Sequence, residues 1–295
     1  MSREQVVLVT GASSGIGLAI AERLARNGFR VFGAARGSSE IGKYPAGVET
    51  VRLDVRDAAS VRSCVETIVD RAGRIDALVN NAGYALIGSI EETSIEEAKQ
   101  LFETNFFGVL RMSAAVLPLM REQNYGRILN IGSIVGFVPA PYQGIYAASK
   151  HALEGYSESL DYEVRDFGVR VSVVEPGFTR TSIFQNAPVV TRPLDIYAQL
   201  RNRVTESVNR NIANGVDPGR VASVVLRAIT SRSPDARYPV GKEARMIGVL
   251  RKFLPSGLFE RGLRKQFGLT MPDVSILQLT RERNHIEHQQ SQQFR

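Results

Sequence analysis

Tyr146-Ala147-Ala148-Ser149-Lys150 sets a phenol and an ammonium four residues apart. On a helix that spacing puts both groups on one face, within mutual reach. A free tyrosine titrates near pH 10, too high for easy proton transfer at neutral pH, and a neighbouring cation favours the phenolate and lowers that value. The chemistry on offer is general acid/base catalysis by Tyr146 with Lys150 as the cation. Taken alone, the pair equally describes a boundary tyrosine beside a solvated lysine, so its meaning depends on what else the chain brings near it.

A second group of residues suits an anion. Thr10-Gly11-Ala12-Ser13-Ser14-Gly15-Ile16-Gly17 follows the apolar run Val6-Val9 and opens an amphipathic stretch, the strand-to-helix setting in which a glycine pattern becomes a phosphate site. Gly11 permits a tight turn, Gly15 and Gly17 are expected to let a pyrophosphate approach the backbone, and the helix that starts there aims unpaired N–H groups at it. A plain glycine turn is the competing reading. An acid about 20 residues further on would hold the ribose 2′-hydroxyl of NAD, but the second strand ends Gly33-Ala34-Ala35-Arg36-Gly37. Arg36 suits the 2′-phosphate of NADP through a charge-assisted contact, so the expected cofactor is NADP(H). The alternative for Arg36 is a solvated surface arginine.

Together with Asn80-Asn81-Ala82-Gly83, the glycine pattern resembles the short-chain dehydrogenase/reductase family, and the resemblance runs from about residue 5 to residue 241. It implies a catalytic group of Asn105, Ser133, Tyr146 and Lys150. Ser133 closes the run Asn130-Ile131-Gly132-Ser133 thirteen residues before Tyr146, and Asn105 stands in Asn105-Phe106-Phe107-Gly108. Tyr146 would give a proton to a carbonyl oxygen or take one from an alcohol, and Ser133 would hold that oxygen. Lys150 would also bind the nicotinamide ribose, and Asn105 would hold a relay water. Cofactor contacts are implied for Gly11, Ser13, Ser14, Gly15, Ile16, Gly17, Arg36, Asp54 at the adenine, Asn81, Ala82 and Gly83. They extend through Tyr146 and Lys150 to the loop Pro176, Gly177, Thr179 and Thr181. The phrases Arg237-Tyr238-Pro239-Val240-Gly241-Lys242 and Val174-Glu175-Pro176-Gly177-Phe178 are similar to the retinol and 17β-hydroxysteroid dehydrogenase branch, which implies a lipophilic alcohol or carbonyl substrate. A homodimer or homotetramer is implied as well.

The elements that must position these groups alternate. Val6-Val9, Arg30-Ala35, Val48-Leu53, Ala77-Val79, Arg127-Ile131 and Val169-Val174 read as strands buried on both faces, with helices predicted at Gly15-Asn27, Ala58-Ala72, Ile95-Gln123 and Tyr146-Phe167. That order predicts an α/β fold, a Rossmann-type doubly wound parallel sheet. A catalytic domain is expected over 1–242, with a substrate lid at about 182–215 whose apolar residues, Val189 among them, line a pocket. A helix at Pro218-Ser231 and a last strand at 237–241 follow. Residues 243–269 form a basic amphipathic extension broken at Pro255, and 270–295 a polar tail expected to move. The extension suits packing on its own protein, or weak contact with a membrane surface.

Composition closes off other classes. Three histidines and one cysteine, Cys64, leave no metal site and no internal disulfide, which fits a cytoplasmic setting. No secretory leader pattern and no apolar run of about 18 residues is present. The net charge of +7 falls largely after residue 200, where it describes a basic surface rather than a nucleic-acid groove. Two other readings stay open: a dinucleotide-sensing regulatory protein without chemistry, and a peripheral lipid-binding module.

Overall fold

The computed structural model describes residues 4–37, 47–185, 187–188 and 190–269. Val189 and the tail from 270 lie outside the described residues. Seven strands make one sheet: β1 Val6–Thr10, β2 Arg30–Ala35, β3 Val48–Arg52, β4 Ala77–Asn80, β5 Gly126–Ile131, β6 Val169–Pro176 and β7 Arg237–Val240. Their order is β3-β2-β1-β4-β5-β6-β7, and each neighbouring pair runs parallel. The doubly wound sheet expected from the alternation is present.

Because successive side chains of a strand point to opposite faces, β1 feeds two cores. Val6 and Leu8 join a layer with Phe32, Ile68, Met112 and Leu160. Val7 and Val9 join another with Ile20, Leu24, Val221 and Val225. The first layer belongs to helices α2 (Ala58–Ala72), α4 (Gly108–Glu122) and α5 (Gly144–Val164), the second to α1 (Gly15–Arg26) and α7 (Pro218–Thr230). Strand order reverses between β1 and β4, and the crevice beyond the carboxyl ends of the strands at such a reversal is where this architecture binds ligands.

The single helix expected over 95–123 is two helices, α3 (Ile95–Phe102) and α4, joined by one π-helical turn at Glu103–Phe107. The polar stretch of the lid is itself helical, α6 Asp195–Ala213. The extension divides at Pro255 into α8 (Lys242–Phe253) and α9 (Ser256–Gln266). Among the described residues no helix is long and apolar enough to cross a membrane, and no cluster of metal-ligating side chains occurs.

Candidate active site

The loop after β1 takes the shape its glycines permit. Gly11 and Gly15 have φ of +62° and +55°, in the left-handed region that a side chain disfavours. Gly17 does a different job from the one expected of it: a Cβ there would stand 2.3 Å from the Gly11 carbonyl oxygen and 2.4 Å from Asn81 Nδ2. Its bareness lets α1 close onto the β1 and β4 loops. Asn81 completes that closure, donating to the carbonyls of Thr10 and Gly11 at 3.0 Å each. Thr10 Oγ1 accepts from the backbone N–H of Asn81 and Ala82. The neighbouring Asn80 and Asn130 also work as ties: Asn80 donates to Asn130 at 2.9 Å, and Asn130 to Ser157 of α5 at 2.8 Å. These asparagines lock β4, β5 and α5 in register.

At the start of α1 the capping residue Ser14 makes no side-chain hydrogen bond, and the first turn carries no acid. The N–H groups of a helix start therefore face a cleft of about 630 Å³ lined by Gly11, Ser13, Ser14, Gly15, Arg36 and Asp54. This is an anion cradle of the dimensions and donor chemistry that a dinucleotide pyrophosphate requires. Arg36 is exposed at its edge. Asp54 lines the cleft with both its oxygens gripped by Arg56, Nη2–Oδ2 at 2.7 Å, which holds the carboxyl down at about 2. Arg56 lines the same cleft, so this end of it carries two arginines, Arg36 and Arg56. Nothing in the spacing Asp54-Val55-Arg56 separated it from an ordinary surface pair.

Of the four implied catalytic residues, Ser133, Tyr146 and Lys150 line one cavity, and Asn105 is buried behind them beside Ser149. Tyr146 and Lys150 lie on the inner face of α5, both buried, and Ser133 opens the turn after β5. Lys150 Nζ donates to the Ile131 carbonyl at 2.7 Å and stands 5.9 Å from the centre of the Tyr146 ring. Asn105 sits in the π turn, whose extra residue per turn directs it inward; such turns recur at functional sites. Its amide is fully engaged, donating to the Tyr84 carbonyl at 2.9 Å and accepting from the Tyr84 N–H at 3.0 Å, with Ser149 Oγ 3.4 Å away.

The expected lowering of the Tyr146 phenol by Lys150 is not what the protein's own groups produce. Burial pushes the phenol up to about 12, against a smaller opposing effect of a hydrogen bond from Ser133. Burial likewise brings Lys150 down to about 8, with Glu154 opposing. Both charged forms pay for desolvation, and the ammonium is turned to Ile131 rather than to the phenol oxygen. At neutral pH the phenol therefore keeps its proton and can give it up as an acid.

Beyond Tyr146 lies a second cavity of about 390 Å³, continuous with the first through Ile16, Asn81, Gly83, Tyr84, Thr181 and Ile183. Ser133, Tyr146, Pro176, Gly177, Thr179 and Thr181 form its floor. Thr179 is buried, its hydroxyl turned to the Gly177 carbonyl at 3.1 Å. From the lid, Phe184 meets Tyr146 edge-on at 6.0 Å. The segment after β6 is tied to α3 and the loop before it: Glu92, buried, accepts from the Leu194 N–H at 2.9 Å and pairs with Arg201, and Thr191 N–H donates to Glu97 of α3 at 2.8 Å. The roof was not foreseen. Ile247 of α8 and Phe259 and Leu263 of α9 pack against Ile134 and Val138, and those helices line the cavity with Met246, Leu250, Leu254 and Leu258 as well. Sequence periodicity showed an apolar stripe there but could not say what it covered.

Set beside known proteins, residues 5–189 match the short chain dehydrogenase family. The chain is 38% identical over 264 residues to a 3-ketodihydrosphingosine reductase of Bacteroides thetaiotaomicron, covering 88% of this chain and 97% of that one. Among solved structures it is similar to a short chain dehydrogenase/reductase of Burkholderia phymatum in complex with NAD, with 27% identity, TM-score 0.74, and coverage of 84% of this chain and 92% of that one. It is also similar to the closed form of a serine dehydrogenase complexed with NADP+, with 27% identity, TM-score 0.70, and coverage of 80% and 94%.

Proposed function

Because the chain belongs to the short-chain dehydrogenase/reductase family, whose members are oxidoreductases of CH–OH groups using a nicotinamide dinucleotide, we propose that it is an NADP(H)-dependent reductase of a long, lipophilic ketone or aldehyde. The observation that carries the substrate class is the roofed apolar cavity above Tyr146, closed by the lid and by α8 and α9. A cavity with apolar walls and a few convergent polar groups at its floor suits a ligand with one reactive oxygen on a hydrocarbon body. The 3-keto lipid named for the Bacteroides relative is of that kind, as are the ligands of the retinol and hydroxysteroid branch.

Bound in the glycine cleft, NADPH would supply the hydride. Tyr146 donates its phenolic proton to the carbonyl oxygen, and the Ser133 hydroxyl donates a hydrogen bond to the same oxygen as its charge develops. Lys150, with two N–H groups beyond the one given to Ile131, offsets the phenolate left behind and would hold the ribose of the bound cofactor. Asn105 braces the Gly83–Tyr84 backbone beside them. Arg36, backed by Arg56, favours the 2′-phosphate. In this reading residues 1–242 are the catalytic domain, 182–215 its lid and 243–269 the roof. The lone buried thiol of Cys64 suits the cytoplasm, and α4 and α5 with the turns that flank them, where Phe107, Tyr162 and Phe167 are exposed, supply the faces of a homodimer or homotetramer.

The test follows loss of reduced-nicotinamide absorbance with NADPH or NADH over carbonyls of increasing chain length. Wild type should turn over the long ketones with NADPH; Tyr146→Phe should lose activity by about a thousandfold while still binding NADPH. Arg36→Ala should weaken kcat/KM for NADPH by roughly 10- to 100-fold and leave NADH unchanged. Preference of the wild type for NADH would overturn the cofactor assignment, and equal turnover of short and long ketones the substrate class.

A further inference from the structure

The extension that roofs the cavity has two apolar faces, and only one of them is spent. Ala244, Ile247, Phe259 and Leu263 pack inward on Ile134 and Val138. Met246, Val249, Phe253, Leu254 and Leu258 point outward, with Phe253 74% exposed, Val249 58% and both Met246 and Leu258 55%. An apolar patch of this kind on one short stretch of chain marks a surface that meets something. Three of these five residues, Met246, Leu254 and Leu258, also line the cavity, so the patch is the rim of the substrate's own doorway.

Its charge says what kind of partner fits. Between Lys242 and Phe267 stand seven basic residues and two acidic ones, a net +5 out of +7 for the whole chain. Arg245, Arg251, Lys252, Arg261, Arg264 and Lys265 are all exposed. Exposed aliphatic and aromatic groups ringed by arginine and lysine match the layered chemistry of an anionic bilayer, whose phosphates lie just above its acyl chains. A second copy of this chain would set +5 against +5 at the same place.

We propose that α8 and α9 dock the enzyme on anionic membrane surfaces, with the cavity mouth pressed to the lipid. A long-chain ketone can then pass from the bilayer to Tyr146 without crossing water. The proposal rests on the lipophilic-substrate reading above and adds to it where the substrate is collected.

Co-sedimentation of the full-length protein with vesicles of phosphatidylcholine alone, or with about a third phosphatidylglycerol, tests it. Binding is expected to the anionic vesicles, at least about tenfold stronger than to the neutral ones and weakened as salt is raised. Val249→Ser with Phe253→Ser, two exposed residues outside the cavity lining, should lower that binding about tenfold. Arg251→Glu with Lys252→Glu should do the same without removing any apolar side chain. Both variants should reduce a short, water-soluble ketone at the wild-type rate, which shows that they fold. Wild type that reduces the soluble ketone but ignores anionic vesicles overturns the docking surface. So does light scattering in which the serine variant dissociates an oligomer, since the patch is then a subunit interface. Vesicle binding with no preference for long-chain ketones leaves the docking surface standing and removes the substrate reading instead.

Discussion

At its nucleotide end the cleft is shaped first by backbone: Gly11, Gly15 and Gly17 hold the loop after β1 against Asn81, and Arg36 and Arg56 stand beside it. At its substrate end it is bounded by side chains drawn from three distant segments, Val135 and Tyr146 from the centre of the chain, Phe184 from the lid and Phe259 from the roof. The first surface is fixed by the turn of the sheet. The second is fixed by what happens to pack over the sheet's edge, and it can be reshaped without moving a strand. A shared hydride chemistry with varied substrates follows from that division of labour.

The same substitution made at both ends should give opposite signs, and this is the largest effect. Gly17→Ala puts a methyl 2.3 Å from a backbone oxygen that cannot yield, so it should cost about 3 kcal/mol, lower Tm by roughly 6 to 10 °C and abolish NADPH binding. Gly262→Ala, inside α9 and with nothing within 4 Å of the new methyl, should stabilise the helix by up to about 1 kcal/mol. Thermal melts and NADPH fluorescence titrations check both. Equal losses would mean that the roof is as tightly determined as the glycine loop.

This division also explains what the sequence disclosed. The nucleotide end was legible because backbone geometry demands particular residues: only glycine serves at Gly11 and Gly15, and buried parallel strands demand runs such as Val6-Val9. Tyr146 and Lys150 were legible from helical spacing, whereas Ser133 and Asn105 came from resemblance alone. The π turn at Glu103–Phe107 left no mark in the apolar periodicity of 95–123, because one added residue in so long a stretch changes the mean apolar spacing little. Gly17 was assigned to phosphate approach when its neighbour is the protein's own backbone, a contact between residues 17 and 81 that no local pattern encodes. The roof was illegible for a related reason. An amphipathic stripe states that something is covered, not what.

Phe259 offers a smaller and sharper test of the substrate end. It is half-buried between Val138 and the cavity, so Phe259→Ala widens the space over Tyr146 without touching the floor. KM for a long-chain ketone should rise about tenfold through lost apolar contact, with kcat for a short ketone and the affinity for NADPH unchanged. A fall in kcat for every substrate would mean that the roof helps to align Tyr146, and the two ends would not be separable.

The smallest effect concerns the seam between them. Glu154 lies one turn beyond Lys150 on α5, buried under the Ser133 loop, where its carboxyl would crowd a side chain at either Gly132 or Gly136. Glu175 of β6, Glu158 of α5 and Arg237 of β7 face it, the guanidinium 2.8 Å from its Oε2. Burial first, and the neighbouring carboxylates after it, push Glu154 up to about 8 against the pull of Arg237, and Glu175 is raised for the same leading reason. In the unfolded chain a glutamate titrates near 4.3, so between about pH 4.3 and 8 the folded protein holds a proton that the unfolded one has lost. Stability must then fall as pH rises through that window and level off above it. Lys150, held down at about 8, acts with the opposite sign only above pH 8, which leaves the window to the carboxyls. Melting temperature should drop by a few degrees between pH 5 and 8. Glu154→Gln, which keeps the shape but cannot ionise, should match wild type at pH 5 and flatten the slope. If wild type melts at the same temperature across the window, Glu154 is ionised and paired with Arg237, and the seam is a salt bridge rather than a shared proton.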